Sequence, residues 1–332
     1  MQKKVSGVHC RQAGELLHFN NDASEISFPS SDWAWFSTCR RILSPLRLLL
    51  RFLLMNTVAC SSGAPLCGFT GIFDMHMHSF ALRGVPEKEL LAGVERMLEL
   101  GRNYGITRFN FLGNFELYDT QEQMRHVNDQ SMRVTREWPG VVSGFCYINA
   151  LHGVEASRRE IDRCLSEGNL VGIKSELEVN PRDPLFRPLA EKAIEYGVPL
   201  LQHTWNHTPH VAPGRHGKQR EPGSAEVAWL AREYPELTII MAHLSGSGVR
   251  GVLDIADCPN VVVDTSGAPP VRGIIESTVR LLGPERLLYG SDIDCRSFST
   301  QLGRIIGADL PWEVKEAILC KNAARIIPKS KS

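Results

Sequence analysis

The 332-residue sequence lacks several features that would each have indicated a class of protein. It has no net charge, with 37 basic and 37 acidic residues, so no dominant basic surface for nucleic acid is expected. Its nine cysteines include no CxxC pair, which excludes a zinc ribbon and a thioredoxin-type motif. Their odd number and scattered positions are typical of reduced thiols. We therefore expect a local site that acts on a small-molecule partner.

The sequence also lacks an apolar run that could cross a membrane. Its most apolar stretch, residues 39–60, is interrupted by Pro45, Arg47 and Arg51, whereas a spanning helix needs ~20 residues with few charges. The same stretch resembles a signal peptide, but it begins farther from the first residue than such signals normally do. We expect a cytoplasmic protein, with export through 39–60 as the alternative. Residues 1–69 are predicted to form a weakly structured N-terminal extension.

Residues 70–332 alternate between short apolar runs and segments of helical period. The runs are rich in Val, Ile and Phe, and they predict strands at 71–76, 107–113, 141–149, 170–176, 198–204, 237–245, 261–266 and 287–292. Alternation with helices predicts parallel βαβ units, and these units match an α/β fold, the closed (β/α)8 TIM barrel of roughly 250 residues. A doubly wound sheet would need a glycine-rich turn after an early strand, and SGSGVRG (245–251) follows only the sixth.

Side chains that can bind a metal end four of the predicted strands. His76 and His78 lie two residues apart in FDMHMH, so their side chains point to the same face of the first strand. The fifth, sixth and eighth strands end near His203, His243 and Asp292. Because all strands of such a barrel end at one mouth, we expect these side chains to converge on a divalent metal.

The motifs FDMHMH, GIK, MAHLSG, YGSD and KNAARI, in this order, resemble the amidohydrolase-related branch of the amidohydrolase superfamily. That branch contains metal-dependent hydrolases, lactonases and nonoxidative decarboxylases. The resemblance covers about residues 70–327. It implies one divalent ion, zinc by preference or manganese, with four ligands: His76, His78, His203 and Asp292. It leaves His243 either to bind a second metal or to act on the substrate.

Further residues are weaker candidates. Lys174 lies where some relatives carry a carboxylated lysine that bridges two metals, although we favour one metal and no bridge. Arg296, and two arginines of the long loop 204–224, have the positive charge that suits a carboxylate-bearing substrate. The loop arginines are Arg215 and Arg220. Three more polar residues near strand ends are candidates for the rim of the site: Asn114, Asn149 and Glu176.

Three functions remain open at this point. The first is a metal-dependent hydrolase of an amide, ester or lactone, in which the metal lowers the pKa of bound water to about 7. Asp292 would then act as general base and acid, and His243 would stabilise the oxygen on which charge develops. The alternative is a nonoxidative decarboxylase of a small aromatic or unsaturated acid with the same ligands. The third is a non-catalytic metal-binding barrel. Any of these could be a homo-oligomer.

Overall fold

The computed structural model describes residues 71–79, 84–113, 120–206, 222–267 and 271–328. The predicted extension 1–69, with the apolar stretch 39–60, lies outside these residues. So do three candidate substrate-binding residues, Asn114, Arg215 and Arg220. No helix in the described ranges is long and apolar enough to cross a membrane.

All eight predicted strands are present, and every strand pairing is parallel. The third is divided in two, so the described residues form nine strands. These are β1 (Ile72–Met77), β2 (Ile106–Phe111), β3 (Val142–Gly144), β4 (Cys146–Tyr147), β5 (Ile173–Ser175), β6 (Leu200–Gln202), β7 (Ile239–Met241), β8 (Val261–Asp264) and β9 (Leu287–Leu288). They pair in the orders β1-β2-β3 and β4 through β9.

Backbone hydrogen bonds close this set of strands into a barrel. Between β3 and β4 lies only Phe145, whose N–H donates to Phe111 O at 3.1 Å. At the other seam, the Met75 N–H donates to Tyr289 O (2.9 Å) and the Asp292 N–H donates to His76 O (2.8 Å). These bonds join β1 to the segment that follows β9. The predicted (β/α)8 barrel is therefore confirmed.

Helices follow the strands around the barrel. The described residues contain α1 (Glu87–Asn103), α2 (Gln121–Glu137), α3 (Val154–Asp162), α4 (Arg187–Tyr196), α5 (Ser224–Glu233), α6 (Leu244–Asp254), α7 (Ile274–Leu282), α8 (Phe298–Ile306), α9 (Trp312–Glu316) and α10 (Asn322–Ile326). Five-residue π turns continue α3 (Arg163–Glu167) and join α9 to α10 (Ala317–Lys321). Single 3₁₀ turns lie at Ala150–His152, Pro184–Phe186 and Pro284–Arg286. The glycine-rich run 245–251 lies within α6.

A bulge in β1 decides which of its side chains face the barrel interior. Phe73 and Met75 pack in the interior core with residues from β6 to β9, whereas Ile72 and Met77 pack in the outer core with the helices. Asp74 pairs with Phe109 and Met77 pairs with Phe111, so β1 has one more residue than β2 in this interval. A bulge shifts the alternation of side chains by one residue. The strand can therefore bury Met75 in the interior and still direct His76 towards the barrel mouth.

Candidate metal centre

The histidines and the aspartate that end the strands lie together in one buried cluster. His76 Nε2 lies 3.0 Å from His78 Nε2 and 3.7 Å from Asp292 Oδ1. The ring of His243 lies 4.8 Å from the ring of His76 and 4.7 Å from that of His203, measured between centroids. His203 has the most exposed side chain of the five, at 15 %. The predicted convergence from β1, β6, β7 and the segment after β9 is present.

Hydrogen bonds fix the tautomers of His76, on β1, and His78, which directly follows that strand. His76 Nδ1 lies 2.7 Å from Asp264 Oδ2, and His78 Nδ1 lies 3.0 Å from Gly113 O. Both partners are acceptors, so each Nδ1 carries a proton, and in a neutral ring the Nε2 atom is then an acceptor. Two acceptors that face each other at 3.0 Å repel unless an electron-poor atom, a proton or a metal ion, lies beside them. A divalent cation meets this requirement, so the residues fit a metal.

The other two imidazoles have the same arrangement. His203 Nδ1 lies 2.9 Å from Glu176 Oε2. His243 Nδ1 lies 2.8 Å from Ser266 Oγ, and the Ser266 hydroxyl donates its only proton to Asp264 Oδ1. The serine oxygen must therefore accept from His243. The Nδ1 atom of each of the four rings thus lies beside an oxygen that can accept from it, which is how protein partners orient imidazoles for a metal.

Burial keeps two of these imidazoles neutral. The pKa of His78 is well below its usual value because burial disfavours the charged form, and the neighbouring His76 and Lys174 lower it further. The pKa of His243 is likewise well below its usual value, first because of burial and then because of His203 and His76. Neutral imidazole is the form that binds metals.

Asp264, at the end of β8, was not among the candidate residues from the sequence. Its Oδ2 contacts His76 Nδ1, and its Oδ1 accepts from the N–H groups of His243 (3.1 Å) and Ser266 (3.0 Å). Burial alone would raise the pKa of this carboxyl group, but the charge of His76 and these hydrogen bonds outweigh it, so its pKa is lowered. Asp264 therefore holds His76 and His243 in place. The sequence does contain a signal for this residue. Asp264 is the acidic residue at the end of the predicted strand VVVDTS, a position like that of Asp292 in its own strand.

Lys174 and Glu176 form a fully buried ion pair next to His203. Lys174 Nζ lies 2.7 Å from Glu176 Oε1, while the second oxygen of Glu176 contacts His203. Burial would raise the pKa of Glu176, but the charge of Lys174 and the contact with His203 lower it to about 2. A lysine side chain that contacts a carboxylate at this distance is held by that carboxylate, away from the role of a bridge between two metals. This pairing favours the prediction of a single metal.

The backbone is strained at His243 and Asp292. His243 has φ 67° and ψ 65°, and Asp292 has φ 59°, both in the left-handed region that side chains other than glycine rarely occupy. Such conformations cost ~1–3 kcal/mol each and are found most often at functional sites. At Asp292 the turn leaves the side chain only 10 % exposed, and burial raises the pKa of its carboxyl group.

Two weaker candidates lie near the mouth. The N–H of Arg296 donates to Asp292 O at 2.8 Å, and its exposed guanidinium donates to Gly267 O at 3.2 Å. The Asn149 side chain accepts from the Leu151 N–H at 3.0 Å and so caps the 3₁₀ turn that follows β4. Substrate binding by either residue stays a prediction.

Replacing Asp264 with asparagine is expected to weaken metal binding by ~10- to 100-fold, the usual effect of losing such a partner. An amide NH₂ group in place of Oδ2 cannot accept from His76 Nδ1–H, so the ring would lose its orientation. The measurement is a metal titration by calorimetry. Asp257→Asn is the matched control, since Asp257 is an exposed partner of Arg232 on the protein surface. Equal affinities in the two variants would show that Asp264 does not orient the site.

Comparisons with known proteins agree with this geometry. A family model described as amidohydrolase matches residues 73–329. A search of curated proteins found no match. Among solved structures, 5-carboxyvanillate decarboxylase from Sphingomonas paucimobilis is 16 % identical, with a TM-score of 0.58 over 77 % of this chain and 98 % of that one. 2,6-Dihydroxybenzoate decarboxylase from Rhizobium is 18 % identical, with a TM-score of 0.59 over 77 % of this chain and 98 % of that one.

A third similar structure contains a metal. It is a dihydroxybenzoic acid decarboxylase from Polaromonas sp. JS666 with bound manganese and the inhibitor 2-nitroresorcinol. It is 18 % identical, with a TM-score of 0.59 over 77 % of this chain and 96 % of that one. At such low identity, these three structures establish a shared fold.

Proposed function

The chain belongs to the amidohydrolase family, and on this premise we propose that it is a metal-dependent, nonoxidative decarboxylase of a small aromatic or unsaturated acid. The observation that carries the proposal is the cluster of four imidazoles around the Asp292 carboxyl group, in which the Nδ1 atom of each ring lies beside an oxygen of the protein. Decarboxylation is placed ahead of hydrolysis, the reverse of the order that the sequence suggested. Its support is that the three similar structures are decarboxylases.

One divalent ion would be held by His76, His78, His203 and Asp292. The sequence analysis favoured zinc. We now propose zinc and manganese equally as the bound ion, because a similar decarboxylase contains manganese. The ion would supply positive charge to bind the oxygens of an acidic substrate and to stabilise negative charge as the reaction proceeds.

The protein's own residues would manage the protons. When the bond to the carboxylate breaks, carbon dioxide leaves and the electron pair remains on the substrate carbon, which must then take a proton. Asp292 Oδ2 lies 4.0 Å from His243 Nδ1, so a carboxylate and an imidazole flank the same small space. We assign proton delivery to Asp292, and we place His243 beside the substrate. Exposed Arg296 at the rim would attract the acid.

Hydrolysis is the second candidate because Asp292, beside the imidazoles, could equally take a proton from water. A product assay on metal-loaded enzyme separates the two reactions. Hydroxybenzoic acids labelled with ¹³C in the carboxyl group, and a panel of lactones and amides, are offered in ¹⁸O water. We expect labelled carbon dioxide and a substrate carbon that gains one hydrogen. Uptake of ¹⁸O into an acid product without carbon dioxide would assign a hydrolase. Binding of metal with no turnover on any member would count against both.

A further inference from the structure

The ring next to the imidazole cluster is the indole of Trp205. Trp205 follows His203 by two residues, just after β6, and its ring centroid lies 5.8 Å from that of His243 at an angle of 61°. The side chain is only partly buried. The indole therefore lies beside a histidine of the site, and the residue is not fully buried.

A glycine makes room for this indole. A Cβ atom on Gly246 would lie 2.5 Å from Cε3 and 2.7 Å from Cδ2 of Trp205, closer than real Cβ atoms approach other atoms. Gly246 belongs to the first turn of α6, directly after His243. The indole thus rests against the start of the helix that carries His243, and this contact fixes its position relative to that imidazole.

The backbone around Trp205 is also held on both sides. The Trp205 N–H donates to Pro222 O (3.2 Å), and the Asn206 N–H donates to Gly246 O (3.2 Å). The Asn206 amide donates to Ser247 O at 2.9 Å and accepts from the Ser224 N–H at 3.0 Å. The segment is thereby tied to the first turns of α5 and α6. A side chain anchored in this way can act as a rigid wall.

We propose that Trp205 is a specificity-determining residue, and that its indole is the wall on which the flat ring of an aromatic acid packs while the carboxylate reaches the imidazole cluster. This inference rests on the proposed function, because it assumes an acidic substrate. An indole offers a large rigid surface, and aromatic pairs prefer edge-to-face or offset geometry with centroids ~4.5–7 Å apart. A puckered aliphatic ring of the same size cannot make this contact.

The test is a comparison of benzoate with cyclohexanecarboxylate, which share a carboxylate but differ in the flatness of the ring. Calorimetry on metal-loaded protein gives both dissociation constants without any need for turnover. We expect the wild type to prefer benzoate by ~3- to 10-fold, the effect of one aromatic contact. Trp205→Leu should abolish this preference while metal content stays unchanged. Trp205→Phe should retain most of it.

Two further variants control this experiment. Gly246→Ala leaves the indole in the protein but displaces it, so the preference should fall as in Trp205→Leu. Trp229→Leu removes a tryptophan on α5 that stacks with Arg182, at 5.2 Å, and should leave the preference intact. The proposal would be overturned if Trp205→Leu kept the full preference for benzoate. It would also be overturned if the wild type showed no such preference.

The outcome is separable from that of the proposed reaction. If the preference for benzoate depends on Trp205 but the protein releases no carbon dioxide, the role of Trp205 in binding is supported. Only the proposed decarboxylation is then rejected. If the protein releases carbon dioxide but Trp205→Leu leaves the preference for benzoate unchanged, only the proposed role of Trp205 is rejected. If turnover is found, Trp205→Leu should raise KM for the aromatic acid and leave kcat within ~3-fold, because the contact binds substrate and transition state alike.

Discussion

His76→Ala is expected to abolish metal binding and activity together. His76 Nε2 lies at the centre of the cluster, 3.0 Å from His78 Nε2 and 3.7 Å from Asp292 Oδ1. Its removal also takes from the buried Asp264 carboxylate the imidazole that contacts its Oδ2 atom. A catalytic metal supplies several kcal/mol of charge stabilisation, so activity should fall by ~10³-fold or more.

Elemental analysis after loading with manganese or with zinc measures the first effect. The wild type should hold about one ion per chain, because His76, His78 and Asp292 have ligand atoms within 4.8 Å of one another and His203 lies in the same cluster. The matched control is His126→Ala, which removes an exposed histidine of α2. Two ions per chain in the wild type would restore Lys174 as a bridging ligand. Retention of a full complement of metal by His76→Ala would remove His76 from the ligand set.

Asp292→Asn is expected to lower kcat by ~10²- to 10⁴-fold, the usual contribution of a general acid or base. Asparagine is the right replacement because the backbone at Asp292 is left-handed, with φ 59°, a conformation that asparagine tolerates better than alanine does. The variant therefore removes the proton carrier without adding backbone strain. Thermal unfolding of Asp292→Asn and of the surface control Asp309→Asn should be alike.

His243→Asn separates the two roles that remain open for His243. The same left-handed backbone, with φ 67°, makes asparagine suitable here as well. If His243 contacts substrate and binds no metal, kcat should fall by ~10²- to 10³-fold while metal content stays constant. His203→Ala should instead lose metal and activity together. Equal loss of metal from His243→Asn and His203→Ala would make His243 a ligand and would contradict the one-metal assignment.

Local sequence patterns were enough to predict the barrel and the candidate site residues at the ends of its strands. Short apolar runs that alternate with segments of helical period require parallel strands covered by helices, and all eight predicted strands are present. The strand-end side chains His76, His78, His203, His243 and Asp292 could be found because parallel strands of a barrel end at a common mouth. Each of these inferences depends on residues that are close together in the sequence, because the period of a strand or a helix can be recognised over a few residues.

The orientation of those side chains follows from contacts that form only in the folded barrel. Asp264 lies 188 residues from His76, and Gly113 lies 35 residues from His78, so no local pattern joins them. The bulge in β1 depends on its register with β2. The left-handed turns at His243 and Asp292 depend on backbone contacts with Asp264 and His76, which lie on other strands. Protonation and strain are set by partners that meet only when the barrel closes, because the free energy that favours them comes from burial and long-range hydrogen bonds.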